Sequence, residues 1–155
     1  MLKIEKTDFR PLDNFPLKWR WMDSRWNKLP NEVLKDIQPF TNEKARELLQ
    51  YSLKFCNHEC LIENKFKNIE RIDESSDPLK VSQWLLNQSS DKNQTVIVSW
   101  NHHHAVLVRW NVFCDYWNDF CYPASDDVAI WNLSEEWMLM YLHNEEFIFG
   151  ERAIE

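Results

Sequence analysis

The chain contains a single glycine, Gly150, among its 155 residues. Glycine lets a backbone turn sharply or approach a bound phosphate closely, because it has no side chain. Phosphate-binding loops, glycine-rich dinucleotide folds and the nucleophile elbow of hydrolases all depend on glycines at fixed places. The sequence therefore excludes a P-loop protein, a GxGxxG dinucleotide fold and a GxSxG hydrolase.

The composition is that of a folded domain. Hydrophobic residues make up 44% of the chain and aromatic residues 14%. A chain of this length and apolar content can bury a core, and we expect one domain over residues 1–155. No apolar run approaches the ~20 residues of a membrane span, and the stretch MLKIEKTDFR lacks a signal peptide's apolar segment. We therefore expect a cytoplasmic protein without a membrane partner, whose four cysteines are thiols.

The first half of the chain predicts short elements. Alternating apolar residues at 17–21 indicate a half-buried strand, and residues 30–37 a short helix. Thr41 is expected to cap a longer helix, and the Asp-Pro pair at 77–78 is typical of another helix start. Residues 57–76 show no clear pattern. The buried face of the helix after Thr41 is expected to comprise Ala45, Leu48, Leu49, Ser52, Leu53 and Cys56.

The second half shows clearer periodicity. Two β-rich runs, 95–100 and 105–110, flank the four residues NHHH and predict a hairpin. Asn111 is expected to cap one helix that ends before Pro123. The apolar face of that helix comprises Phe113, Tyr116, Trp117, Phe120 and Cys121. Three more strands are predicted at 128–132, 137–142 and 147–149.

The order of these elements predicts the fold class. Every residue of the run 137–142 is apolar, which is typical of a central strand that is covered on both faces. We expect an α+β domain with a mainly antiparallel sheet of about five to six strands and helices packed on one side.

Acidic residues are concentrated in the last 45 positions. This segment has ten acids and one base, Arg152, which gives a formal charge of −9, whereas the first 110 residues carry 15 acids and 17 bases, or +2. Together they give the net charge of −7. A field of one sign attracts basic partners and repels nucleic acid. The distribution therefore indicates a basic protein partner.

The acids of this segment come in pairs at predicted turns. In a meander, Asp126 and Asp127 lie at the sheet end to which Glu145 and Glu146 return. Trp131 lies on the opposite face of its predicted strand from Val128 and Ile130. We therefore expect its side chain to be exposed and to anchor the partner. The expected partner-binding residues are Asp126, Asp127, Trp131, Glu135, Glu136, Glu145 and Glu146. Such carboxylates also suit a divalent cation, acid–base chemistry or ordinary solvated turns.

A zinc site is an alternative use of the histidines and cysteines. Cys56, His58 and Cys60 stand at alternate positions, and the histidines at 102–104 could complete a ligand set. The spacing is not that of a known zinc motif, and an exposed hairpin tip with a buried thiol explains the same residues. No bound metal is expected.

Two other groups of side chains are weaker candidates for a functional role. Cys114 or Cys121 could act as a nucleophile with His143, but the two cysteines share a helical stripe and are expected to pack in the core. Trp26, in the irregular stretch DSRWNK, is a second candidate for an exposed tryptophan.

The order of segments resembles a small uncharacterised bacterial protein family. The matching stretches are PLDNFPLKWRW, LPNEVLKDIQPFTNEKARELL, and TVIVSW and VLVRWNVFCDYWNDFCYPASDDVAIW, followed by a strand pair ending in FIFG. This resemblance covers most of the chain outside 57–76. It implies one α+β domain and no particular activity.

A looser resemblance concerns function. Small, acidic, tryptophan-rich and glycine-poor α+β domains resemble the immunity proteins that neutralise polymorphic or contact-dependent toxins. That resemblance implies a non-enzymatic inhibitor, without cofactor, that binds a basic toxin domain such as a nuclease. The rival predictions are a metal-dependent enzyme that uses the same carboxylates or histidines, and a housekeeping interaction domain whose acids serve solubility.

Overall fold

An antiparallel sheet forms the centre of the computed structural model, which describes residues 2–57, 59–73 and 77–153. The described residues form seven strands: β1 (Gln38–Pro39), β2 (Phe66–Asp73), β3 (Thr95–Asn101), β4 (His104–Arg109), β5 (Val128–Asn132), β6 (Trp137–Leu142) and β7 (Glu146–Arg152). They also form six α-helices: α1 (Trp19–Met22), α2 (Asn31–Leu34), α3 (Asn42–Ser52), α4 (Pro78–Leu86), α5 (Trp110–Asp115) and α6 (Trp117–Phe120). No helix in these ranges has the length and apolarity needed to cross a membrane.

The strands lie in the order β1-β4-β3-β5-β6-β7-β2, and each neighbouring pair is antiparallel. The predicted hairpin is confirmed as β3–β4, and the three predicted C-terminal strands form the meander β5–β6–β7. All six residues of β6 are buried, as expected for a strand covered on both faces. The α+β class is confirmed, with seven strands rather than five or six.

Helices cover both faces of the sheet, so the prediction of helices on one side is wrong. Val128 and Ile130 of β5 belong to one buried cluster, whereas Ala129 and Trp131 belong to another. Side chains alternate across a strand, so the two clusters lie on opposite faces. Helices α4, α5 and α6 contribute to the first cluster and α3 contributes to the second. A sheet that is apolar at both parities needs a layer on each side.

The two predicted helix starts are confirmed. The hydroxyl of Thr41 accepts a hydrogen bond from the backbone N–H of Lys44, and Asp77 caps α4 through the N–H of Leu79. Each cap satisfies one of the backbone donors that a helix start leaves free. The predicted face of α3 is buried except at half-buried Leu49 and at Leu53, which is exposed.

Two predicted elements are wrong in type or extent. Residues 17–21 are not a strand, because α1 begins at Trp19. A stretch of five residues is too short to distinguish the period of about two residues of a strand from the period of about 3.6 residues of a helix. The helix predicted after Asn111 begins instead at Trp110 and is interrupted at Tyr116, whose φ and ψ are −122° and 26°. The apolar spacing persists across the interruption, which is why the sequence suggested one continuous helix.

Gly150 is needed for close packing rather than for a turn. A Cβ at this position would lie 2.9 Å from Cδ1 of Leu61 and 3.0 Å from Cβ of Phe66. Both distances are shorter than ordinary carbon contacts. The only glycine of the chain therefore lets β7 pack tightly against the segment that leads into β2.

Candidate functional site

The meander places the acidic pairs at opposite ends of the sheet, as predicted. β5 begins beside the end of β6, because Val128 pairs with Tyr141, and the turn after β6 leads into β7. The turn between β5 and β6 carries Glu135 and Glu136 at the other end. We name the first end the Asp126 end, defined by Asp126, Asp127, Glu145 and Glu146.

Asp126 is a structural residue, because its carboxylate is buried against Arg20. The guanidinium donates from Nη1 to Oδ2 at 2.6 Å and from Nη2 to Oδ1 at 3.1 Å. Both side chains are less than a tenth exposed, and the N–H of Tyr122 also donates to Asp126. A two-point guanidinium–carboxylate contact is a strong, directional interaction. It ties α1 to the loop before β5, and it leaves this carboxylate unable to contact a partner.

The other acids of the Asp126 end are also largely engaged. Asp127 accepts hydrogen bonds from the backbone N–H of His143 and lies 2.9 Å from its Nδ1. Glu146 pairs with Arg71 of β2 at 2.5 Å. Glu145 is exposed, with a φ of 68° at its tight turn. Three of the four carboxylates thus have a cation or an imidazole beside them, and they do not form a free acidic patch.

Trp131 is buried, so the prediction that it is exposed is wrong. Its side chain is 1% exposed, and its ring centroid lies 5.5 Å from that of Tyr51 on α3. The parity argument assumed that only one face of the sheet is covered. Because α3 covers the opposite face, Trp131 packs in the second core and cannot act as a surface anchor.

A groove lies at the other end of the meander, around the turn that carries Glu136. It consists of two adjoining depressions of about 510 and 360 Å³. The depressions adjoin because both are lined by Ser89, Ser90, Ser134, Glu136 and Trp137. We name this surface the Glu136 groove; its charged lining residues are Lys67, Asp91, Glu135, Glu136, Glu151 and Arg152.

The groove has more acids than bases. Four of its lining residues are carboxylates and two are cations. Neither Glu136 nor Glu151 makes an ion pair with any residue in the described ranges. Unlike the Asp126 end, this surface therefore has carboxylate charge that is not neutralised within the fold.

Glu136 is held in place by neutral hydrogen bonds. Its Oε1 accepts from the amide of Asn132 at 3.2 Å and from the hydroxyl of Ser134, and its backbone N–H donates to Oδ1 of Asn132 at 2.9 Å. Asn132 is itself buried at the end of β5. The side chain of Glu136 is thus fixed without losing its charge, and its rotamers are restricted before any partner binds.

The other two glutamates differ in their freedom. Glu135 has a φ of 58° and, like Arg152, lies close to the hydroxyl of Tyr51. Burial and the nearby carboxylate of Glu135 raise the pKa of Tyr51 well above its usual value. Glu151 is exposed, and its one hydrogen-bond partner among the described residues is the amide of Asn68, which donates to Oε2 at 3.2 Å. Glu135 is thus half-buried beside Tyr51, whereas the exposed Glu151 is free to pair with an external cation.

Trp137 provides the aromatic part of the groove lining. It is 6% exposed and its ring packs on those of Trp110, at 4.9 Å, and Phe149, at 5.2 Å. Its indole N–H has no hydrogen-bond acceptor among the described residues. A buried donor without an acceptor is uncommon in native proteins. The groove thus combines carboxylates with the small exposed part of an aromatic side chain that is otherwise buried in the core.

The residues of the suggested zinc site do not form a ligand cluster in the part of the chain that the structure describes. Within it, no three or more His, Cys, Asp or Glu side chains are arranged to hold a metal. Cys56 is buried, and burial raises the pKa of its thiol to about 11. His58 lies outside the described residues. The described residues therefore give no support to the zinc alternative.

The cysteines that could have served as nucleophiles are core residues, as expected. Cys114 and Cys121 are both fully buried. Burial raises the pKa of the Cys114 thiol well above its usual value, which disfavours the reactive thiolate. His143 is more than half exposed and pairs with Asp127. The geometry does not favour a Cys–His nucleophile.

Comparison with known proteins does not identify a relative. No protein-family model matches the chain, and no curated protein matches it significantly. The resemblances to a bacterial family and to immunity proteins therefore stay predictions, and the function has to be argued from the Glu136 groove itself.

Proposed function

We propose that this chain is an immunity-type binding protein, which neutralises a basic toxin domain by binding it through the Glu136 groove. The observation that carries the proposal is the excess of carboxylates in the groove. Glu136 and Glu151 lie there beside Trp137 without a cation partner among the described residues. Charge complementarity selects partners of opposite sign.

The proposed mechanism is electrostatic capture followed by close packing. The groove carboxylates attract lysine and arginine side chains of the partner and raise the association rate, an effect that salt weakens. Glu136 is already ordered by Asn132, so binding costs little additional side-chain entropy. A toxin domain such as a nuclease needs cationic residues to bind its own substrate, and their occupation by carboxylates would block that binding.

The partner-binding residues predicted from the sequence separate into three groups under this proposal. Glu135 and Glu136 line the groove and keep their proposed role. Glu145 is exposed but lies at the Asp126 end, where the neighbouring acids are already paired. We assign Asp126 and Trp131 to the stability of the fold, because both are buried.

The proposal is tested by affinity capture from a lysate of the source organism at low and high salt. Three baits are compared: the unaltered chain, the variant Glu136→Lys/Glu151→Lys, and the control Glu145→Lys. The proposal predicts one basic protein that the unaltered chain and the control retain at low salt, that high salt releases, and that the groove variant does not retain. The metal content of each eluate is measured in the same experiment.

The captured protein is then expressed alone and together with each bait. Growth arrest that the unaltered chain and the control relieve, and the groove variant does not, is the expected result. Retention of the same basic protein by the groove variant contradicts the proposed surface. A captured partner that is harmless when expressed alone contradicts the immunity role, and stoichiometric metal without a partner favours the enzyme alternative.

A further inference from the structure

A pocket of about 290 Å³ lies between the end of α3 and the sheet. Ser99 of β3 stands opposite Ala105 of β4 on one side and Ala129 of β5 on the other, so three small side chains form a row on one face. Ala105 and Ala129 belong to the buried cluster to which α3 contributes. Small side chains in adjacent strands leave space beneath the helix. We name this space the Ser99 pocket; its lining includes Ser52, Cys56, Ser99, Asn101, Ala129 and Met140.

The hydroxyl of Ser99 has no hydrogen-bond partner among the described residues. Ser99 is 2% exposed and lines the pocket. Buried polar side chains of native proteins are nearly always hydrogen-bonded, because an unpaired group has lost its bonds to water without replacement. A ligand that forms a hydrogen bond with this hydroxyl would restore what burial removes.

The other polar side chains of the lining form hydrogen bonds elsewhere. The hydroxyl of Ser52 donates to a backbone carbonyl of α3 at 2.7 Å, and the thiol of Cys56 donates to the carbonyl of Ser52 at 3.2 Å. Oδ1 of Asn101 accepts from the backbone N–H of His103 at 2.9 Å. Within the described part of the chain, Ser99 is therefore the buried side chain of this pocket that lacks a partner.

The lining carries little charge. Asp127 is its one charged member among the described residues, and Oδ1 of Asp127 already contacts His143. Burial keeps the thiol of Cys56 neutral at physiological pH, because it raises the pKa of that group to about 11. A charged ligand loses more hydration on entering such a site than an uncharged one does. The pocket therefore favours an uncharged ligand. Its apolar walls are formed by Leu49, Leu53, Val128, Ala129 and Met140.

We propose that the Ser99 pocket binds a small uncharged alcohol, whose hydroxyl forms a hydrogen bond with that of Ser99 and whose apolar part contacts Ala129 and Met140. A hydroxyl suits Ser99 because each of the two groups can both donate and accept. The apolar part is favoured because it displaces water from nonpolar walls. Pockets for larger ligands measure roughly 300–1,000 Å³, so this one takes a compact molecule. The inference does not depend on the function proposed for the Glu136 groove.

The test is a methyl NMR titration of the protein with isotope-labelled methionines, and benzyl alcohol is the probe. Met140 lines the pocket, whereas Met138, in the same strand and the same buried cluster, is not part of the described lining. The two signals are assigned with Met138→Leu and Met140→Leu. We expect a saturable shift at Met140 and a much smaller one at Met138. Ethylbenzene, in which a methyl group replaces the hydroxyl of the probe, is the control of equal shape.

Two variants make the result specific. Ser99→Ala removes the hydroxyl and keeps a small side chain. It should weaken the binding of benzyl alcohol about fivefold, the effect of one hydrogen bond, and leave that of ethylbenzene unchanged. Because it deletes a buried group without a partner, this variant should be as stable as the unaltered chain, which urea denaturation checks. Ser90→Ala removes an exposed serine hydroxyl of the Glu136 groove and should leave both affinities unchanged.

Three outcomes would overturn the inference. The first is the absence of a saturable shift at Met140 with benzyl alcohol, which would mean that the pocket holds only solvent. The second is an equal loss of affinity for both probes in Ser99→Ala, because the hydroxyl would then maintain the shape of the pocket without bonding the ligand. The third is an unchanged affinity of Ser99→Ala for benzyl alcohol, which would place the hydroxyl of the probe elsewhere.

Discussion

Asp126 and Glu136 flank the same strand, β5, but the fold uses their charges differently. Asp126 is less than a tenth exposed and forms a two-point ion pair with Arg20. Glu136 is exposed, and within the described part of the chain it is fixed only by the neutral groups of Asn132 and Ser134. Removing an acid that pairs with a buried cation destabilises the fold, whereas an ordered acid without a cation is available to a partner. The excess negative charge of the C-terminal segment is therefore not evenly available for binding.

The largest expected effect on the free energy of unfolding is at Asp126. Asp126→Ala removes one partner of a buried ion pair and leaves the guanidinium of Arg20 without its carboxylate. We expect a loss of about 3–5 kcal/mol in the free energy of unfolding. Urea denaturation at neutral pH measures it, and a loss below about 1 kcal/mol would remove the distinction between the two ends.

A smaller effect is expected at the neighbouring acid. Asp127→Ala removes the acceptor for the backbone N–H and the Nδ1 of His143, both at 2.9 Å. This pair is more exposed, so we expect a loss of about 1 kcal/mol, in the range of ordinary hydrogen bonds. The same urea experiment checks this value. A loss as large as that of Asp126→Ala would show that exposure does not determine how much the contacts of Asp126 and Asp127 contribute to the free energy of unfolding.

The exposed ion pair between β2 and β7 should contribute still less. Glu146→Gln breaks the contact with Arg71, whose side chain is 51% exposed. Surface ion pairs contribute about 0.2–1 kcal/mol, and salt screens them. We therefore expect a small loss of unfolding free energy at low salt and almost none at 1 M sodium chloride. A loss that does not depend on salt would contradict an electrostatic origin.

The smallest effect on stability is expected in the groove. Glu136→Gln/Glu151→Gln keeps the shape and most hydrogen-bonding capacity of both side chains and removes their charge. We expect a change within about 0.5 kcal/mol, as for most surface substitutions. Urea denaturation of the double variant and of Asp126→Ala under the same conditions supplies the comparison. Strong destabilisation of the double variant would mean that these acids, too, serve the fold.

The sequence predicted the meander because its strands are apolar over long enough runs, and the turns between them place the acidic pairs. It did not reveal β2, since seven of the eight residues of that edge strand are not buried and carry no alternation. The role of Asp126 also lay beyond the sequence, because Arg20 is 106 positions away. Long-range partners of this kind are set by the packing of separate elements.

The groove also contains residues whose proximity could not be predicted from the local sequence pattern. Glu135 and Glu136 were recognised at their turn, but Asp91 and Glu151 come from a loop and a strand that only the folded sheet brings beside them. Trp131 was assigned to the surface because its parity was interpreted with one covered face. Because the sheet has a buried cluster on each face, Trp131 is buried. Trp26, in an irregular loop, is the exposed tryptophan instead.

The claim that the two ends of the meander differ in available charge is tested most directly by mapping backbone amide shifts during titration with hexa-arginine at low salt. We predict saturable shifts concentrated at residues 89–91, 134–137 and 151–152, with little change in the turn 143–146. Equal or larger shifts in that turn would show that the paired acids attract a cation as well as the unpaired ones, and would contradict the account.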